Sequence, residues 1–148
     1  MATDMKLLYD TISMLRHHIE SDTAITLDAE DADEWMKDMI KLLHMYNITA
    51  SRKMTLLGCY VLLRLAVRKH RELALHDNAA LTRSILEGDY LFGLYYRFGI
   101  QRKETKLLYH LAPFYKKMQI SLHEDKPLQP MLTELREELH TYLEKHCA

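Results

Sequence analysis

The stretch Leu56-Leu57-Gly58-Cys59-Tyr60-Val61-Leu62-Leu63-Arg64-Leu65-Ala66-Val67 decides the fold. Its one charged residue is Arg64. A half-buried strand alternates apolar and polar residues, and a surface helix keeps one polar face. This segment does neither. Its length and its setting among good helix formers predict one helix over residues 51–76, apolar almost all round, central and buried.

Towards the N-terminus, two amphipathic helices precede it. The first is predicted over residues 4–20, with Met5, Leu8, Ile12, Leu15 and Ile19 on one stripe and Thr3 as N-cap. The second is predicted over 31–47, with Ala32, Trp35, Met39, Leu42 and Tyr46 in line and acidic residues crowding its first turn. Three helices come after the central one. One starts after Asn78 as N-cap and reaches about Phe98; Leu81, Ile85, Gly88, Phe92 and Tyr95 share its face. The next covers 102–122, with Leu107, Leu111, Phe114 and Met118 in line and an expected kink at Pro113. Residues 126–130 read as a linker, with Pro130 at the first position of the last helix. That helix carries Leu132, Leu135, Leu139 and Tyr142. The expected fold is all-α: a single-domain helical bundle of about six helices over 1–148, divided into a main bundle (1–125), a linker (126–130) and a C-terminal helix (131–148).

Composition agrees. The chain has 148 residues, 48% hydrophobic and 28% charged, with only 4 Gly and 3 Pro, too few for a turn-rich β-sandwich. A net charge of -1 offers no argument for nucleic acid, which selects a basic face. The longest apolar run, 56–63, falls far short of the roughly 20 residues a membrane span needs. The N-terminus lacks a basic region followed by an apolar core, and the two cysteines, Cys59 and Cys147, form no disulfide framework or metal spacing. A cytoplasmic location is the expectation.

The candidate chemical motifs are thin. Asp28, Glu30, Asp31, Asp33 and Glu34 form an acidic cluster in which Glu30, Asp31 and Glu34 stand at i, i+1 and i+4, a spacing that resembles an aspartate-rich magnesium motif. Their place at a helix start favours a dipole role, and no basic residues stand near to hold a phosphate. Among nine histidines, Glu137 and His140 make a Glu-x-x-His pair, but diiron bundles need two copies and the chain has one. His17, His18, His44, His70, His76, His110 and His123 are scattered and read as surface or helix-end residues, and His146-Cys147 lies too near the end to form a site. No Gly-x-Ser-x-Gly and no phosphate-cradling Gly-rich loop occurs. The basic groups Arg64, Arg68, Lys69, Arg71 and Arg97, Arg102, Lys103, Lys106 sit near predicted helix C-termini, where cations are favoured. No catalytic residue and no metal ligand is expected in this chain.

The run Ile85-Leu86-Glu87-Gly88-Asp89-Tyr90-Leu91-Phe92-Gly93-Leu94-Tyr95-Tyr96 is the most informative. Two glycines inside a helix cost about 1 kcal/mol each relative to alanine. Gly88 on the apolar face suggests close helix approach. Asp89 beside that face needs a hydrogen-bond partner.

Leu86-x-Gly88-Asp89-Tyr90-Leu91 resembles the Leu-x-Gly-Asp-Tyr-Leu segment of all-helical trans-prenyl diphosphate synthases. The longer run Gly88-Asp89-Tyr90-x-x-Gly93-Leu94-Tyr95-Tyr96 is similar to the small, non-catalytic subunit (component 1) of heterodimeric hexaprenyl and heptaprenyl diphosphate synthases. The resemblance covers residues 56–122. The catalytic pattern is not met: where catalytic subunits carry an aspartate-rich motif and paired arginines, this chain reads Arg68-Lys69-His70-Arg71-Glu72-Leu73-Ala74-Leu75-His76-Asp77. A second aspartate-rich motif is missing, and the chain is about half as long as a catalytic subunit.

The resemblance implies a regulatory subunit of a medium- or long-chain trans-prenyl diphosphate synthase, required for activity and product length in menaquinone side-chain synthesis. It implies a catalytic large subunit as partner, with magnesium held there and no cofactor bound here. Gly88 and Gly93 would permit close helix contact. Gly88, Asp89, Tyr90, Phe92, Gly93, Tyr95 and Tyr96 are the candidate interface or tunnel-wall residues. Alone, the chain would be inactive and open to homodimer formation through exposed apolar surface. The competing readings are a helical interaction adaptor unrelated to isoprenoids and a metal-dependent helical enzyme.

Overall fold

The computed structural model describes residues 2–19, 25, 27, 33–71, 78–121 and 127–147. They fold as six helices: α1 (Ala2–His18), α2 (Asp33–His44), α3 (Ala50–Arg71), α4 (Asn78–Gln101), α5 (Thr105–Ser121) and α6 (Leu128–His146). No strand occurs among them. The molecule is the single all-α bundle the apolar periodicities predict.

The start of α3 is fixed locally. Thr49 caps it: its Oγ1 accepts the Arg52 N–H at 3.1 Å and its carbonyl accepts the Lys53 N–H at 2.9 Å. From Thr55 to Leu63 every residue of α3 is buried, and Ala66, Val67 and His70 continue the buried surface towards its end. α1, α2, α4 and α6 all pack on α3, α4 most extensively. Gly58 lets α4 come close, because a methyl there would meet the Phe98 ring at 3.0 Å. α5 closes the bundle against α4 and α6. Full burial of a leucine is worth about 1.5–3 kcal/mol, and α3 alone contributes Leu56, Leu57, Leu62 and Leu63 with no exposed surface. Arg64, the charged exception, lies 4.4 Å over the Trp35 ring and donates to the Tyr60 hydroxyl at 3.4 Å.

Several helix ends differ from the sequence reading. α1 begins at Ala2, so Thr3 lies inside the helix rather than capping it. α2 stops at His44, where Met45 and Tyr46 donate back to the Leu42 and Leu43 carbonyls and tighten the last turn. The expected start of α2 at Asp31 and the expected extension of α3 to His76 lie outside the described residues. α6 begins at Leu128 with Pro127 as its extended N-cap, so Pro130 is the third helical residue. Proline is tolerated there because the first four N–H groups of a helix have no partner within it. Pro113 lies within α5 on its exposed side.

The turn between α4 and α5 sets where α5 begins. Lys103 has φ 63°, a left-handed conformation. The Glu104 N–H bonds the Gly99 carbonyl at 2.8 Å and the Lys103 N–H bonds that of Ile100 at 3.1 Å, a Schellman closure of α4. The Glu104 carbonyl then accepts from Leu107 and Leu108 and opens α5 three residues later than the spacing predicts.

No helix of the described residues is long and apolar enough to cross a membrane. Because lysine pays for its left-handed backbone and glycine does not, Lys103→Gly should raise stability by about 0.5–1 kcal/mol in a chemical denaturation series. A loss of stability would show that the Lys103 side chain holds the turn.

Candidate functional site

α4 presents two opposed faces. Its inner face carries Ser84, Gly88, Leu91, Leu94, Tyr95, Phe98 and Gly99, all buried. Gly88 is there for space. A β-carbon on it would stand 2.5 Å from His70 Nε2, so only glycine leaves room for the His70 ring of α3 against α4.

His70 is the centre of a polar cluster joining three helices. Its side chain is 7% exposed. Nε2 lies 2.9 Å from Asp89 Oδ1 on α4, and Nδ1 lies 3.3 Å from the Tyr115 hydroxyl on α5. Burial, then the neighbouring Asp89 charge, pushes the Tyr115 phenol well above its ordinary range, so it stays protonated and has a hydrogen to donate. One assignment satisfies every group: Tyr115 O–H donates to Nδ1, and Nε2–H donates to the carboxylate. The Asp89 side chain is 66% exposed, so its second oxygen faces out. With both ring nitrogens engaged inside the bundle, His70 is built to hold α3, α4 and α5 in register.

Aromatic rings extend this cluster. Phe92 stacks on Tyr115 with centroids 3.6 Å apart and planes 11° off parallel. Tyr96 meets Phe92 edge-on at 5.1 Å, and Tyr95 packs on both Phe92 and Tyr96 at 5.8 and 5.7 Å. Burial pushes the Tyr95 phenol up strongly.

The candidate residues therefore divide. Gly88 and Tyr95 face inward and are covered by the chain's own helices. Phe92 is partly buried and fixed by its stack on Tyr115. Tyr90 is half-buried, its hydroxyl donating to the His18 carbonyl at 3.4 Å. Asp89 and Tyr96 reach the surface. Gly93 lies on the outer side of α4, where the nearest atom to a β-carbon is Arg97 Nη1 at 4.0 Å, so it serves no close contact with another helix of the bundle.

A second cluster has no counterpart among the sequence motifs. Glu104, with a 5% exposed side chain, takes Arg52 of α3 through Nε to Oε1 at 2.6 Å and Nη2 to Oε2 at 3.3 Å. Tyr142 of α6 donates its hydroxyl to Oε2 at 3.3 Å. The Glu104 hydrogen bond raises the Arg52 pKa. Burial and then the Glu104 charge push the Tyr142 phenol from 10.0 up to about 12.

The other sequence candidates lie apart from both clusters. His140 faces outward, 3.0 Å from Glu144 and 4.0 Å from Glu137. Of the acidic cluster, Glu34 is exposed on α2, while Asp28, Glu30 and Asp31 lie outside the described residues. Among the described residues no three His, Cys, Asp or Glu side chains gather as a metal site. Surface grooves among the described residues lie elsewhere; one, of about 430 Å³, is lined by Leu7, His44, Ala50 and Met54 among others. Burial pushes the Cys59 thiol far up, which keeps it unreactive.

Compared with protein-family models, curated proteins and solved structures, the chain finds no match.

The two glycines of α4 should respond oppositely. Gly88→Ala drives a methyl into a ring held by two hydrogen bonds and should cost about 1–3 kcal/mol. Gly93→Ala meets only the Arg97 guanidinium at an ordinary contact distance of 4.0 Å and should gain about 0.5–1 kcal/mol from helix propensity; equal effects in urea melts would contradict this geometry.

The second cluster makes two further tests. Glu104→Gln should lose about 1–3 kcal/mol, kept from the larger loss of a fully buried pair because Arg52 can turn to water. Because the folded Tyr142 pKa is raised, its stabilisation is complete below pH 10 and is lost as pH rises towards about 12. Thermal melts should show that decline, and Tyr142→Phe should make it shallower; an unchanged slope would remove Tyr142 from the account.

Proposed function

We propose that this chain is the non-catalytic subunit of a two-component, medium- or long-chain trans-prenyl diphosphate synthase, working in the cytoplasm on menaquinone side-chain synthesis. The observation that carries the reading is the placement of Leu86–Tyr96 on α4. The Gly-Asp pair of the motif is anchored inward and sideways on His70, while Leu86, Tyr96 and Ile100 stand exposed along the outer side. An anchored helix with an apolar outer face suits a subunit that works by docking.

The physical role rests on the chemistry of chain growth. Each added isoprene unit lengthens an apolar tail that has to be housed out of water. A docked helical subunit can brace the wall of the tunnel that houses it. The anchored aromatic cluster of Phe92, Tyr95, Tyr96 and Tyr115 gives such a wall stiffness. In this reading the divalent cations and both diphosphates belong to the catalytic subunit. The acids of this chain at the matching position, Glu72 and Asp77, lie outside the described residues.

The test is incorporation of labelled isopentenyl diphosphate into an allylic primer. The purified chain alone should give no product, the catalytic subunit alone little, and the two together long-chain product from a co-eluting complex. Product from this chain alone would refute the regulatory role. Failure to co-elute with or activate a catalytic subunit would leave the adaptor reading in its place.

A further inference from the structure

α4 is 24 residues long, and its outer face is organised about Gly93. At about 100° per residue, Leu86, Asp89, Tyr90, Tyr96, Arg97 and Ile100 all fall within about 60° of the Gly93 direction. Leu86 is 61% exposed, Ile100 56% and Tyr96 37%. Four of the large exposed apolar side chains of the described residues, Ile85, Leu86, Tyr96 and Ile100, belong to this one helix.

The face is also symmetric in chemistry. Seven residues before Gly93 stands Leu86, and seven after stands Ile100. Four before is the acid Asp89, and four after is the base Arg97. Three before is Tyr90, and three after is Tyr96. A two-fold antiparallel pair sets each residue against its mirror offset on the other copy. Crossing at Gly93 would therefore oppose leucine to isoleucine and tyrosine to tyrosine, and make two Asp89–Arg97 ion pairs. At the crossing point a β-carbon would meet only the flexible end of Arg97, at 4.0 Å, whereas at the other three glycines it would crowd side chains at 3.0 Å or less, so Gly93 is where a second helix can approach most closely once Arg97 swings out to its partner. Asp89 engages His70 through Oδ1, which leaves Oδ2 for the arginine.

We propose that a second copy of this chain covers the outer face of α4, antiparallel and crossing at Gly93, with Asp89 of each copy paired to Arg97 of the other. The charge pair fixes direction, because a parallel pair would set acid against acid. The proposal does not rest on the prenyl-synthase reading: it concerns the chain alone, and a catalytic subunit docking on the same face would have to displace the second copy.

Sedimentation and light scattering of the full chain test it. Wild type should run at twice its 17.5 kDa mass. Gly93→Lys fills the crossing while improving helix propensity, so it should stay folded by circular dichroism and become monomeric. Arg97→Asp should weaken the dimer by at least about tenfold, in the range found for close interfacial charge pairs. The swap Asp89→Arg with Arg97→Asp should restore it, and if the loss of the His70 contact unfolds the swap, the other two variants decide. In a Cys147→Ser background, Gly93→Cys should oxidise to a disulfide dimer. Leu86→Cys alone should not, whereas mixed with Ile100→Cys it should cross-link. A monomeric wild type, or a dimer indifferent to both Gly93→Lys and Arg97→Asp, overturns the proposal. A monomeric wild type that still binds and activates a catalytic subunit overturns it while leaving the proposed function intact.

Discussion

The burial of α3 from Thr55 to Leu63 on every side is the constraint on which the rest of the structure depends. A helix that is apolar on all sides has no stable place at a surface, so other helices have to enclose it. α1, α2, α4 and α6 do so, and α5 packs mainly on α4 and α6 while its Tyr115 reaches His70 of α3. This explains why a chain with few strong turn signals adopts one arrangement. It also explains why the amphipathic helices need only one apolar stripe each. Removing a leucine from α3 would open a cavity bordered by several helices at once, the situation in which large-to-small changes cost about 2–5 kcal/mol.

Burial alone does not set the sliding and rotation of one helix on another. The two polar clusters do that, one near each end of α3. Arg52 lies in its first turn and His70 in its last, 18 residues and so about 27 Å apart. Arg52 draws in Glu104 from the α4–α5 turn and, through it, Tyr142 of α6. His70 draws in Asp89 of α4 and Tyr115 of α5. Buried polar groups left without partners are costly, so each cluster favours the single register that satisfies all its members. The exposed ion pairs, such as Arg136 with Asp38 and Lys117 with Glu134, add little by comparison. With its inner face fixed in this way, α4 holds its outer face as a rigid surface, which is what docking requires.

Much of this is legible in the residues taken in order. The central helix comes from the uninterrupted apolar run, and the other five from three-and-four spacing. Gly88 and Asp89 stand out by their cost within a helix, and the partner demanded for Asp89 exists. The identity of partners brought together by the fold is not legible. His70 lies 19 residues from Asp89 and 45 from Tyr115. Nothing local separates it from the other eight histidines. Glu104 is an isolated acid within a basic run, with Arg102 and Lys103 before it and Lys106 after, and its burial depends on a left-handed Lys103 that the sequence does not advertise. Proline preference puts Pro130 at the first helical position, yet the whole first turn tolerates proline. Gly93 looks like a second packing glycine beside Gly88, but periodicity places them about 140° apart around the helix, one inside and one out.

Native-state amide hydrogen exchange tests the central claim most directly. If the buried helix organises the bundle, the amides of residues 56–67 exchange only through global unfolding, as one group and more slowly than those of α4 or α6. Opening of that segment at a lower free energy than α4 or α6 would contradict the account.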